Sequence, residues 1–249
     1  DGEDEKSPEA LSTNLIVAQS NAVNEASYRM SATAKKVLMS LVAQIDSRKP
    51  MPEEVVLDVN EFIKITGHSK AMAYKAMVEG VDELMATRIR TKEVDRHGKP
   101  TNRREVRILA ITMKYNSEEG ANVSCRFHPD LAPHIHKLHS KFTQYSLGEA
   151  IRFKSFYTIR LFELLMQWKT KSVLAITIKD YRDAMGLSDK QYALFNNLRR
   201  RVIEPSIKEI NHKTDWHVEF KSVRKGLKIN SLAFTFAKED QLDMFNEAD

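Results

Sequence analysis

A single cysteine, Cys125, leaves this chain of 249 residues no partner for an internal disulfide and no CxxC pair for a structural metal. A reducing cytosol fits that usage, and no metal site or other cofactor is expected. Glycine is scarce too. None of the eight falls in a Walker A loop, a Gly-rich dinucleotide turn or a GxSxG elbow, so the chain is read as a non-enzyme. No apolar run approaches the roughly 18 residues of a membrane span. The stretch Asp1-Gly2-Glu3-Asp4-Glu5 lacks the basic and apolar regions of a signal peptide. What remains is 42% hydrophobic, enough for one large core or two ordinary ones.

The net charge of +5 hides an asymmetry. Residues 1–10 carry −4, residues 239–249 carry −5, and the body between them carries +14. Within the body, residues 151–230 hold 17 Lys and Arg against 8 Asp and Glu. A basic body between acidic ends points to a polyanionic partner, nucleic acid first. An inert basic surface is the plainer alternative.

One pattern occurs twice. Leu57-Asp58-Val59-Asn60-Glu61-Phe62, followed by Gly67 and Ser69, matches Ile176-Thr177-Ile178-Lys179-Asp180-Tyr181, followed by Gly186 and Ser188, each position 119 residues on. Each copy reads as a strand, a short helix, a glycine turn and a longer helix, the order of a helix-turn-helix. The longer helices are predicted over about 70–89 and 190–210, and Pro205 should kink or end the second near Glu204. Strands at Ile89–Val94 and Glu105–Met113 flank the turn cluster 95–100, and Trp216–Val223 and Leu227–Phe236 flank Arg224-Lys225-Gly226. Each hairpin then serves as a wing. The expected fold is α+β, two tandem winged-helix domains. Residues 1–12 are read as a disordered acidic N-terminus, 13–135 and 136–238 as the two domains, and 239–249 as an acidic tail.

On a helical wheel of about 100° per residue, Leu194, Phe195, Leu198 and Val202 turn toward the core. Ala193, Asn196 and Arg200 lie opposite, with Asn197 and Arg201 on the flanks. These types suit a major groove: Arg pairs with guanine, Asn with adenine, and Ala touches a thymine methyl. Lys190 and Arg199 on the same helix, with Lys221, Arg224, Lys225 and Lys228 on the wing, are candidate phosphate contacts. In the first copy, Lys70, Tyr74 and Lys75 on the long helix and Arg96, Lys99 and Arg103 on the hairpin are the counterparts. Whether the first copy reads bases or only phosphates stays open. The triplet His134-Ile135-His136 with Tyr145 invites a metal-dependent nickase reading. Pro133 and the helical spacing of Leu131, Ile135 and Leu138 oppose the strand that such a site needs.

Four short stretches, in order, carry a resemblance: Ile16-Val17-Ala18-Gln19-Ser20-Asn21, Phe142-Thr143-Gln144-Tyr145, Asn197-Leu198-Arg199-Arg200-Arg201 and Lys208-Glu209-Ile210-Asn211. Over residues 14–237 the chain resembles the iteron-type plasmid replication initiators. The resemblance implies monomers that bind direct repeats (iterons) in double-stranded DNA at a plasmid origin. It implies a base-reading helix in the second domain, with Arg200 in the place of a base-contacting arginine. It further implies homodimers, formed through the first domain, that repress the protein's own gene at an operator inverted repeat. Opening of an AT-rich segment and recruitment of the host initiator and replicative helicase would follow, in a bacterial cytoplasm and with no membrane partner. In the tail, Gln241-Leu242-Asp243-Met244-Phe245 resembles the pentapeptide that docks on the DNA polymerase sliding clamp, with Gln241, Leu242, Met244 and Phe245 as its contacts. A winged-helix repressor without initiator activity is the main alternative.

Overall fold

A computed structural model describes residues 15–94, 100–116 and 122–239. The acidic N-terminus 1–12, the hairpin tip with Arg96 and Lys99, and the tail with Gln241 to Phe245 lie outside them. Among the described residues, no helix is long and apolar enough to cross a membrane.

The chain opens with β1 (Ile16–Ser20), a single helical turn α1 (Asn21–Asn24) and α2 (Ala32–Val42). The first copy of the repeat follows as β2 (Val55–Asp58), α3 (Val59–Thr66) and α4 (Lys70–Ala86). A hairpin comes next, β3 (Arg88–Val94) and β4 (Pro100–Arg107), paired antiparallel from Arg88↔Arg107 to Val94↔Pro100. The returning strand is not the single strand expected over Glu105–Met113, since it already begins at Pro100. It stops at Arg107, and β5 (Leu109–Asn116) joins a separate sheet of order β2-β6-β5 with β6 (Asn122–Phe127). Ile108, fully buried, is the pivot between the two sheets.

β7 (Phe142–Ser146) pairs antiparallel with β1, Ile16↔Ser146 through Ser20↔Phe142. A division of the chain between 135 and 136 therefore separates two strands of one sheet. After α5 (Leu147–Ala150) comes α6 (Phe156–Gln167), almost wholly buried. It touches α1, α2 and β7 on one side and β8 and the last helix on the other. The second copy is β8 (Val173–Thr177) and α7 (Ile178–Ala184). The reading rod then runs through α8 (Phe195–Leu198), a π-helical turn Arg199–Ile203 and α9 (Glu204–Lys213). β9 (Trp216–Lys225) and β10 (Lys228–Lys238) close a sheet of order β8-β10-β9.

The repeat is local physics executed twice. Asp58 caps α3 by accepting from the Asn60 and Glu61 N–H groups, and Thr177 caps α7 by accepting from Asp180. Phe62 and Tyr181, 119 apart, are both buried anchors of their short helices. Gly67 and Gly186 end those helices at φ +70° and +64°, the left-handed region that favours glycine. Ala73, Met77, Val81 and Leu84 then bury one stripe of α4.

The two units meet at a polar core. Arg160 and Glu163, one helical turn apart on α6, have fully buried side chains joined at 2.6 Å. The other Glu163 oxygen accepts from Lys35 at 2.7 Å, Tyr145 at 2.6 Å and Gln19 at 3.0 Å. Arg160 spends its donors on Tyr28 Oη, the Asn24 and Ala26 carbonyls, Glu163, and the Ala184 carbonyl at the end of α7. Its guanidinium also lies 4.2 Å from the centre of the Tyr28 ring. Burial pushes the Glu163 carboxyl up, but the charges of Lys35 and Arg160 outweigh burial and hold it below the usual carboxylate range. Burial, reinforced by the negative Glu163, pushes the Tyr145 hydroxyl well up.

Candidate nucleic-acid interface

The second helix-turn-helix differs from the wheel prediction at its start. The reading helix begins at Phe195, not near Lys190. Arg182 is the reason. Its guanidinium reaches back over the turn to the carbonyls of Ser188 (2.6 Å), Gln191 (2.6 Å) and Tyr192 (2.9 Å). The Gln191 and Tyr192 carbonyls are the ones that an earlier helix would have bonded to the Phe195 and Asn196 N–H groups. Tyr192 also has φ +48°, which no helix tolerates. Lys190 therefore sits in the turn, and Ala193 is exposed just ahead of the helix. Leu194, expected on the core side, is the extended N-cap residue and is 70% exposed.

From Phe195 the wheel holds. Leu198, Val202, Ile203, Ser206 and Ile210 are buried, while Asn196, Asn197, Arg199, Arg200 and Arg201 face out. Pro205 neither stops nor breaks the rod. The Glu204 N–H bonds to the Arg199 carbonyl, five residues back, so the turn before the proline is already widened. A widened turn relieves the clash that a proline ring makes with the carbonyl four back in a regular helix. The π turn carries three consecutive arginines. Arg199 is tethered to Glu204 at 3.2 Å. No ion pair holds Arg200 or Arg201 among the described residues.

The wing stands beside this helix. Lys221, Arg224, Lys225 and Lys228 are all exposed, and Lys225 faces Lys228 across the hairpin end. An open groove of about 390 Å³ separates wing from helix, lined by Arg182, Ala193, Phe195, Arg224 and Leu227. In the first unit, Lys70, Tyr74 and Lys75 lie exposed on α4, and Lys75 is paired with Glu79 at 3.7 Å. Arg103 lies on β4, opposite Lys92.

The histidine triplet makes a different structure from a strand-borne metal site. Ala132–His134 is a 3-10 turn with Pro133 inside it, and Ile135 is buried. His134 bonds Ser20 Oγ at 2.8 Å and His136 bonds the Ala132 carbonyl at 2.6 Å. Tyr145 is enclosed in the polar core, its hydroxyl donated to Glu163.

Three groups escaped the sequence reading. The Arg182 clamp left no sequence signal, since one arginine on a short helix is unremarkable. Leu227, apolar and 95% exposed at the wing tip, was read only as strand. Arg160 and Glu163 did leave one: two opposite charges three residues apart, the only charged residues in the mostly apolar helix FYTIRLFELLMQ.

Two helix-turn-helix units, each followed by a β-hairpin, with a cationic Asn/Arg helix face beside the second hairpin, define a tandem winged-helix protein of the DNA-binding class. Family models match most of the chain, "Initiator Replication protein, WH1" over residues 16–166 and "Initiator Rep protein, WH2" over 177–236. The chain belongs to this family of replication initiators. Similar proteins from Escherichia coli include the PI protein, 26% identical with 88% of this chain and 82% of that one covered. A replication initiation protein is 22% identical, covering 94% and 73%. Among solved structures, that of the Pi initiator protein in complex with iteron DNA superposes with a TM-score of 0.76, at 22% identity, over 92% of this chain and 99% of that one. At that identity the likeness speaks for the fold.

Proposed function

We propose that this chain initiates plasmid replication by binding direct-repeat duplex DNA, with the head of the second reading helix in a major groove. Asn196, Asn197, Arg200 and Arg201 read base edges there, and Ala193 contacts the groove from just ahead of the helix. Lys190, Arg199, Lys221, Arg224, Lys225 and Lys228 meet phosphates. Lys70, Tyr74 and Lys75 of α4, with Arg96, Lys99 and Arg103 of the first wing, add contacts from the first unit. The observation that carries this reading is the exposed Arg200–Arg201 face, without an ion pair among the described residues, at the start of a helix-turn-helix helix flanked by a cationic wing, in a replication-initiator chain. The fold shared with a Pi initiator bound to iteron DNA supports it. Repression of its own gene as a dimer, recruitment of host initiator and helicase, and docking of Gln241–Phe245 on the sliding clamp complete the proposal.

The test compares two substitutions by salt titration on a selected repeat and on random duplex. Arg200→Ala is expected to cost about 1–3 kcal/mol and to relax preference at one base pair. Lys225→Ala is expected to weaken all sequences alike and to reduce the salt slope by about one unit. An unchanged specificity ratio for Arg200→Ala would remove the groove assignment. Binding only to inverted repeats, and only as a dimer, would favour a plain repressor.

A further inference from the structure

The wing tip presents an apolar side chain where a purely electrostatic contact has no use for one. Lys225 pairs with Lys228 across the hairpin, so Gly226 and Leu227 alone form the loop. Gly226 has φ +64° and Leu227 has no positive φ, the pattern of a type II′ turn with glycine first. Among the described residues, chain neighbours aside, no atom lies within 4 Å of the place a Gly226 Cβ would take, so conformation alone requires the glycine. The second position of such a loop points away from the sheet, and Leu227 is accordingly 95% exposed, more than any other large apolar residue described. Its neighbours Arg224, Lys225 and Lys228 are exposed cations.

We propose that Leu227 is a wedge that enters the minor groove beside the base-reading helix and partly unstacks one base step, so that the wing distorts DNA as well as holding it. The proposal rests on the DNA-reading assignment above. Charge selects the occupant. An apolar pocket on a protein would have to strip water from three cations to reach Leu227. A duplex meets both needs at once, phosphates for the cations and the stack edge for the leucine. Apolar side chains that insert between base steps kink a duplex by about 20–90°. The two-residue loop fits the role because it holds the leucine on a short, hydrogen-bonded stalk, so little conformational freedom is lost on insertion.

The experiment uses the full chain and a duplex that it enriches from a random pool of about two to three helical turns. 2-Aminopurine is placed in turn along the half contacted by the wing, and bending is read from circularly permuted fragments. Wild type is expected to raise fluorescence at one step and to bend the fragment. Leu227→Ser should keep the sequence preference, lose the fluorescence rise and most of the bend, and lower affinity by about tenfold or less. Leu227→Phe should restore both signals. Leu227 is 95% exposed among the described residues, so these variants are expected to fold as wild type does. If Leu227→Ser unstacks and bends DNA as wild type does, the wedge is wrong. The same holds if it loses only the capture of a host protein. If wild type binds the enriched duplex without unstacking, the wedge fails while the reading assignment stands. If no sequence is enriched, the assignment fails and takes the wedge with it.

Discussion

Gly67 and Gly186 occupy the same place in the two copies and share a left-handed backbone, yet substitution should not cost the same. Among the described residues, chain neighbours aside, a Cβ on Gly67 meets no atom within 4 Å. Gly67→Ala should therefore cost only the strain of a left-handed residue, about 1–2 kcal/mol. A Cβ on Gly186 would stand 2.2 Å from the Tyr28 carbonyl oxygen, in the first unit. Gly186→Ala adds an overpacking cost of about 1–3 kcal/mol and pushes the two units apart. Urea unfolding of both variants checks this, and equal losses would mean that the contact yields freely. The turn glycine was legible from its spacing. The carbonyl pressed against it belongs to a residue 158 positions earlier and was not.

At the scale of elements, α6 joins the units through buried charge. Removing one partner of a buried pair leaves the others unsatisfied, so Glu163→Gln should cost about 3–5 kcal/mol at neutral pH. The sign of the pH dependence follows from the depressed carboxyl. Its stabilising contribution is complete above the unfolded glutamate value of about 4.3 and is lost as the pH falls through the lower folded value. The gap between wild type and Glu163→Gln should therefore narrow on acidification below about pH 4. A gap constant from neutral pH into that range would mean that Glu163 is not held ionised. The strands and the strand-helix-glycine-helix order of both copies were legible because each depends on residues a few positions apart. The start of the reading helix was not, because Arg182 takes the carbonyls of a turn that spacing alone makes helical.

For the whole molecule, two reading helices joined through α6 should enter successive major grooves on one face of the duplex. Hydroxyl-radical footprinting of monomer is expected to give two protected patches about one helical turn apart. One patch only, unaltered by charge reversal at Lys70 and Lys75, would leave the first unit off the DNA. The tail makes a separate claim. A peptide of residues 237–249 should bind purified sliding clamp at about micromolar affinity. Leu242→Ala with Phe245→Ala should abolish that binding while the full chain still binds its repeat, because the anchors are apolar and the tail is acidic. Equal clamp binding by both peptides would reduce the motif to coincidence.

The sequence by itself determined the repeat, the two helix-turn-helix units, the charge distribution and the exposed Asn196–Arg201 face. Each of these follows from spacing, capping or composition within a short window. The tertiary structure decided which buried charges meet, where the reading helix begins, how Pro205 is carried through a π turn and which side chain crowns the wing. Those outcomes depend on carbonyls, guanidinium groups and loop geometry that only folding brings together.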